Sequence, residues 1–588
     1  MGGWYAPYDS NVYKRSHDVN SLDELPCTSY FVYNDLGKCP ECFSEGRCGM
    51  KRRTVLGAGL VALAGVGCVP RQELDDPPER PDIVDSNSTG QNLHNGGDLV
   101  MALAAEPDKL DPTTSSSLYT RYVMQTMCEK LYDLNHKGEI VPMLAAALPE
   151  ISDDGREVVI RLREDAVFAD GEPFNAEAVR ITLDRHLNHE QSSRRSELGP
   201  ITGIEAIDEF AVRVTFEKSF SPFTAALADR AGMMLSPKAL EELGDDFASH
   251  PVGVGAFKFV KRIPQTSITV ERDPLYYDAR NVRLDSVTYR IMADANIRAA
   301  NIQSGDVHVA DSISPQDIEA VKASRDINTL QVLSLGYQAI TINLEPKDDA
   351  GHPLDKGLIA TDERVRLAFT KAIDREALVN TVFNGWFDAA CSPISPSSPF
   401  ATEKSTQCPE YDPEESKRLL EQAGAPVPYP ITLKVSNSQD SLRFAQALQA
   451  QVKEAGFAIS VVPTEYTAML SAQDSGTYEA IQLGWSGRVD PHGNAYNFWT
   501  TDANNNYAAF SDRTLDDLLT KASEVTDLDE RSALYGAAVK RMQETNPVIY
   551  LYRQRSLTAY RANLVGVSTY ADGVVKLSHA AFIEGKQP

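Results

Sequence analysis

The segment Gly484-Trp485-Ser486-Gly487-Arg488-Val489-Asp490-Pro491-His492 gathers an aromatic plate, both signs of charge and an imidazole within nine residues. A tryptophan set between small residues and followed by charge is poor core material. It suits the wall of a cleft, where its face stacks and neighbouring groups fix a ligand's orientation. Arg488 offers a planar fork matched to a carboxylate. Asp490 has two readings: it contacts an amine, or it pairs with Arg488 and caps the turn before Pro491. A lone histidine such as His492 is more often structural or exposed than a ligand contact. Cys391 and Cys408, 17 positions apart in a Pro- and Ser-rich stretch, are expected to form a disulfide in an oxidising compartment. Cys128 falls on an apolar helical pattern and reads as a buried free thiol. No Gly-x-Ser-x-Gly elbow, His-Glu-x-x-His, P-loop or dinucleotide fingerprint occurs, so no cofactor and no resident metal is expected. An exported hydrolase built outside these motifs is the competing class, since ten histidines and 83 acidic residues supply the raw material.

These side chains belong to a chain of 588 residues with 83 acidic and 57 basic side chains, a formal charge of −26 and 42 % hydrophobic content. At roughly 100–200 residues per domain such a length makes several structural units with ample cores. The acidic surplus argues against a nucleic-acid partner, which needs a concentrated basic face. No apolar run reaches the roughly 18–20 residues of a bilayer-spanning helix. The longest, from Thr54 to Gly67, follows Lys51-Arg52-Arg53 and precedes Cys68, the pattern of an export signal. Arg52-Arg53 followed by Thr-Val-Leu resembles a twin-arginine signal. The small residues before Cys68 resemble a lipoprotein cleavage box, whose cysteine becomes acylated. Gly65 stands where that box prefers Leu, and no Phe follows the arginine pair. An ordinary cleaved signal and a buried small-residue helix are the alternatives.

Met50 opens a natural-looking start, so residues 1–49 are read as an upstream extension from a miscalled start codon. They hold Cys27, Cys39, Cys42 and Cys48, whose CPEC pair lacks a second close pair or neighbouring His partners to complete a zinc site. Residues 50–68 form the signal. Residues 69–96, rich in Asp, Glu, Pro, Ser and Asn, read as a flexible acidic tether. Removing 67 residues leaves 588 − 67 = 521.

From Gly97 the pattern turns to an α/β rhythm. Strands are expected at 98–103, 157–162, 211–216, 431–435 and 459–462. Helices are expected over 118–132, after Asn175, and over 363–383, 413–423, 441–455 and 512–526. With no Gly- or Ser-rich linker in sight, any lobes must exchange strands through short crossings.

Several stretches then fall in the order of one family. They are Leu110-Asp111-Pro112, Glu129-Lys130-Leu131-Tyr132, Asp153-Asp154-Gly155, and Phe168-Ala-Asp-Gly-Glu-Pro-Phe-Asn-Ala-Glu-Ala-Val179. Pro251-Val-Gly-Val-Gly-Ala-Phe-Lys258, Asp362-Glu-Arg-Val-Arg366 through Arg375, Tyr411-Asp-Pro and Pro547-Val-Ile-Tyr550 complete the set. Together they resemble the extracytoplasmic solute-binding proteins of peptide- and nickel-type ABC importers over roughly residues 97–580. The resemblance implies a two-lobed α/β fold with an extra subdomain, closing on a ligand between the lobes. Its implied pieces are 97–128, 220–334 and 548–588 for lobe one, 129–219 for the subdomain and 335–547 for lobe two. It implies a monomeric receptor outside the cytoplasm, lipid-anchored through Cys68, that delivers a peptide or similar carboxylate-bearing solute to a membrane permease. A nickel or metal-chelate ligand is the alternative within the family. In the peptide-binding branch Arg488 falls where an aspartate holds the peptide amine, an inversion of charge. Arg121, Arg194, Arg195 and Arg230 fall in ligand-facing segments, so with Trp485, Arg488 and Asp490 they are the expected binding residues, forming an electropositive cleft in an acidic protein.

Overall fold

Leu99, Met101, Ala102 and Leu103 are wholly buried, as befits a strand covered on both faces. In the computed structural model, which describes residues 81–86, 90–501 and 503–586, their strand Asp98–Leu103 lies inside a seven-stranded sheet. It pairs in parallel with Ser286–Ile291 on one side and Val309–Ala310 on the other. Outward from Ser286–Ile291 come Ser267–Arg272 and Phe257–Ile263. Beyond Val309–Ala310 come Arg555–Arg561 and Ile327–Leu333. A second sheet of six strands runs Asp388–Ala389, Val548–Arg553, Tyr337–Ile342, Ala480–Trp485, Tyr429–Ser436 and Phe457–Thr464. A four-stranded antiparallel sheet holds Glu150–Ile151, Glu157–Arg161, Ala211–Phe216 and Ile201–Asp208. Its Ile160, Val212 and Val214 join one continuous core with Leu99 and Met101 of the seven-stranded sheet.

The two large sheets exchange strands twice. Ile327–Leu333 passes into Tyr337–Ile342 through residues 334–336, and Val548–Arg553 passes into Arg555–Arg561 through Gln554. The crossings touch, the Ser334 amide donating to the Gln554 carbonyl at 3.1 Å. Gly336 is required here, because a Cβ would stand 2.2 Å from the Trp485 carbonyl oxygen.

Local chemistry explains most boundaries. Asn175 caps Ala176–Asn188 by accepting from the Ala178 amide, as its position predicts. The expected 118–132 helix stops at Met127. Cys128 is extended, and the chain continues toward the short strand Tyr132–Leu134. The 363–383 helix is two helices, Glu363–Lys371 and Arg375–Phe383, because Asp374 turns its side chain back to cap the second. Leu528–Thr545, the longest helix among the described residues, was not read from the sequence.

Two expected boundaries need correction. The piece of lobe one placed from 548 starts too early, since Val548–Arg553 pairs with Tyr337–Ile342 in the second sheet. The tether placed over 69–96 is held to the body from residue 81. Ile83 exchanges backbone hydrogen bonds with Gln331 at the open edge of the seven-stranded sheet, and the Thr569 amide donates to the Val84 carbonyl. The edge strand's unpaired backbone groups take up a segment with little apolar content of its own. The readings of 1–49, the signal 50–68, Cys68 and residues 69–80 lie outside the described residues.

Candidate functional site

Between the two large sheets lies a cleft of about 600 Å³. Tyr119, Tyr122 and Asp311 line it from the side of the seven-stranded sheet, and Tyr466, Trp485 and Ser486 from the side of the six-stranded sheet. Trp485 ends the Ala480–Trp485 strand, so it stands at the sheet's carboxyl edge, where open α/β sheets bind ligands. The glycines around it allow close approach. A Cβ at Gly484 would lie 2.3 Å from the Tyr337 carbonyl oxygen, and Gly487 has a φ of +85°. The Arg488 guanidinium sits 4.2 Å from the centre of the Trp485 rings, a cation–π contact.

Four of the expected arginines cluster beside Trp485 and Ser486 rather than on the wall of this cleft. Arg121, Arg194, Arg230 and Arg488 are all buried. Asp229 stands among them, 2.6 Å from Arg121 Nη2, 3.3 Å from Arg488 Nε and 3.8 Å from Arg230 Nε. Arg121 also pairs with Asp572 at 3.1 Å, and Arg194 with Glu197 at 2.6 Å. Burial alone would raise the Asp229 carboxyl, but the charges of Arg121, Arg488 and Arg230 hold it far below the usual carboxylate range.

The balance is uneven: four guanidinium groups face three carboxylates. Arg230 carries the imbalance. Its Nη1 donates to the Ser115 and Ser117 carbonyls at 3.1 and 3.0 Å, while Nε and Nη2 are buried without a hydrogen-bond partner. Burial, followed by the like charges of Arg194 and Arg488, drives its pKa well below the normal arginine value. Arg488 is pushed down to about 10, first by burial, and its Nη2 likewise lacks a partner. The Trp485 Nε1 donor beside them is also buried and unpaired. Every one of these orphaned atoms is a donor or a cation. An unpartnered buried charge costs roughly several kcal/mol, so the cluster as it stands is electrostatically uneven toward positive charge.

Two expected residues stand elsewhere. Arg195 is exposed and turns away, donating to the Leu187 carbonyl at 2.7 Å at the end of the Ala176–Asn188 helix. Asp490 neither pairs with Arg488 nor offers a free oxygen. It is buried in a two-pronged ion pair with Arg531, both contacts 2.9 Å, and Oδ1 also accepts from the His492 amide. Arg531 lies on the helix missed in the sequence, which is why the pairing was invisible. His492 is packed against Tyr496 and Phe220, and burial lowers its pKa to about 4. Cys391 and Cys408 form a disulfide, and Cys128 is buried and free.

Sequence reasoning missed Asp229, Glu197 and Asp572, the carboxylates that hold the arginines. Asp229 had one legible signal, its place directly before Arg230.

Residues 139–507 match the family model for bacterial extracellular solute-binding proteins, family 5 Middle. The glutathione-binding protein GsiB of Shigella dysenteriae is 30 % identical over 488 residues, 80 % of this chain and 91 % of that protein. Among solved structures, the periplasmic binding protein AgaA of A. tumefaciens R10 in complex with agropinic acid aligns with a TM-score of 0.75 at 25 % identity. That alignment covers 84 % of this chain and 99 % of AgaA. DppA of Helicobacter pylori in complex with the peptide STSA shares the fold, with a TM-score of 0.75 at 23 % identity, covering 84 % of this chain and 99 % of that one.

The chain belongs to the family 5 bacterial extracellular solute-binding proteins. It is the substrate-binding receptor of an ABC importer for peptides or related solutes, and it works outside the cytoplasm.

Proposed function

We propose that this receptor captures a short peptide or similar small solute through a carboxylate that enters between Arg230, Arg488 and Trp485. The observation that carries this reading is the set of buried donors with no acceptor, Arg230 Nε and Nη2, Arg488 Nη2 and Trp485 Nε1. A ligand carboxylate supplies what they lack, and a bidentate arginine–carboxylate pair fixes its orientation. GsiB is named for glutathione, which makes glutathione the first solute to test here. Lobe one comprises 97–128, 220–334 and the chain after Gln554, lobe two comprises 335–553, and 129–219 forms the subdomain between flanking pieces. The receptor acts as a monomer that binds without turnover, is exported by its 50–68 signal, and is anchored through an acylated Cys68.

Isothermal titration with glutathione and a defined mixture of tripeptides tests the carboxylate site. Arg230→Ala and Arg488→Ala are each expected to weaken binding tenfold or more, since removing a buried charged partner costs about 1.4 kcal/mol or more. Unchanged affinity in both variants would overturn the reading. Mass spectrometry of the same mixtures should show stoichiometric complexes and no cleavage products.

A further inference from the structure

The cleft carries a second uncompensated charge, of opposite sign. Asp311 follows the short Val309–Ala310 strand and is 3 % exposed on the wall formed by the seven-stranded sheet. Its Oδ1 lies 2.9 Å from the Tyr122 hydroxyl and 2.8 Å from Ser312 Oγ, both donating to it. Its Oδ2 is buried and has no hydrogen-bond partner among the described residues.

The other carboxylates on this cleft are engaged. Glu106 pairs with Arg262, Asp440 with Arg443 and Asp572 with Arg121. Glu465 caps a helix by accepting from the Thr467 and Ala468 amides. The cation nearest Asp311 does not satisfy it. Arg298 donates to the backbone carbonyls of Asp311, Ser312, Met292 and Ala293, and none of these four hydrogen bonds goes to the carboxylate. Burial raises the Asp311 carboxyl above its ordinary range, with Arg298, Ser312, Tyr122 and the Ala104 backbone amide lowering it by less. Ser312 holds a φ of +50°, a left-handed conformation costly for a residue with a Cβ and found where surroundings enforce a working geometry.

We infer that Asp311 receives a protonated amine of the ligand, so that the receptor selects solutes carrying an ammonium group as well as a carboxylate. The inference rests on the reading that the carboxylate seats at the arginines. It gives the amine a receiver other than Asp490, which Arg531 occupies. An ammonium group brings three donors and a full charge, and Oδ2 offers an acceptor without a hydrogen-bond partner among the described residues. The two ends are mechanically joined. Tyr122, bonded to Asp311, follows Arg121, which grips Asp572, and the Tyr122 hydroxyl also lies 2.9 Å from the Gly573 carbonyl oxygen. A ligand spanning both ends is therefore measured against one rigid helix, Leu118–Met127.

The test uses the full exported protein with glutathione, a mixture of free-amine tripeptides, and the N-acetylated form of each. Wild type is expected to bind the free amines at least about tenfold more tightly than the acetylated forms. Asp311→Asn keeps the Oδ1 acceptor for Tyr122 and Ser312, and should bring the two sets within about threefold of each other while acetylated probes bind as before. Tyr122→Phe, which removes one support of the carboxylate, should reduce the discrimination by a smaller factor and serves if Asp311→Asn does not fold. Equal binding of both sets by wild type, or full discrimination in both variants, would overturn the inference while leaving the carboxylate site standing. If no probe in either set binds wild type, the underlying reading fails and this inference fails with it.

Discussion

Asp490 shows what a residue's type conveys and what it conceals. Beside Trp485 and Arg488 it reads as a candidate for an amine, yet in the fold both its oxygens face Arg531. The pair is buried, so breaking it from one side should be expensive. Arg531→Met is expected to lower stability by about 3–5 kcal/mol, because it leaves Asp490 ionised and unpaired in the interior. The double change Asp490→Ala with Arg531→Met should recover much of that loss, and chemical denaturation of the three proteins measures both effects. Ligand affinity in whatever folded fraction remains should change little, which separates a structural pair from a binding residue. The same logic marks the limit of sequence reading at this scale. Arg121, Arg194, Arg230 and Arg488 were legible as a group through their family positions, and the structure gathers three of them around Asp229 and holds Arg194 on Glu197. Arg195 shares the family segment of Arg194, but neighbours on one short helical turn point to different surroundings, and Arg195 is exposed. Asp311 gave no signal, because an aspartate after a strand looks like any turn former until its missing partner can be seen.

At the scale of elements, capping chemistry and alternation were readable, and long-range pairing was not. Asn175 and the alternating Ala211–Phe216 strand needed only local rules. The placement of Val548–Arg553 in the second sheet depends on contacts with Tyr337–Ile342, some two hundred residues away, which no local pattern encodes. Glu129 lies at a joint between elements. It follows the Leu118–Met127 helix, its amide donates to the Val254 carbonyl at 2.6 Å, and its carboxylate accepts from the hydroxyls of Tyr276 and Tyr277. Burial raises its pKa from 4.5 to about 7 despite those hydrogen bonds. A carboxyl whose folded pKa lies above its unfolded value stabilises the fold below the unfolded pKa, and that stability is lost as pH rises through the folded one. The contribution of Glu129 therefore declines between about pH 4.5 and 7. Glu129→Gln removes the titration, so its stability relative to wild type should improve by a few kcal/mol from pH 5 to pH 8. Paired urea melts across that range check it, and parallel pH profiles for the two proteins would refute the assignment.

For the whole molecule, the arginine cluster acts as an unfinished latch. Arg121, Asp229 and Arg230 belong to segments on the seven-stranded side, while Arg488 and Trp485 come from the six-stranded side. Arg121 reaches Ser486 across the cleft at 3.3 Å, and the Tyr119 and Tyr466 rings meet edge to face at 5.4 Å. Arg230 Nε and Nη2 are buried unpaired with the sides together, so on the proposed reading closure without ligand carries an electrostatic penalty that a ligand carboxylate would offset. On that reading the ligand would shift an open–closed equilibrium by its differential contacts with the closed form. Among the described residues the crossings at 334–336 and Gln554 are the only covalent links between the two large sheets. If the Arg230 charge is what opposes empty closure, Arg230→Met should close without ligand even though it loses affinity for carboxylate-bearing solutes. Relief of about 3 kcal/mol moves the equilibrium by roughly a hundredfold. Small-angle X-ray scattering of the ligand-free proteins should then show a smaller radius of gyration for Arg230→Met than for wild type, approaching that of wild type with saturating ligand. A variant whose ligand-free scattering matches ligand-free wild type would show that closure is governed by something other than this unpaired charge.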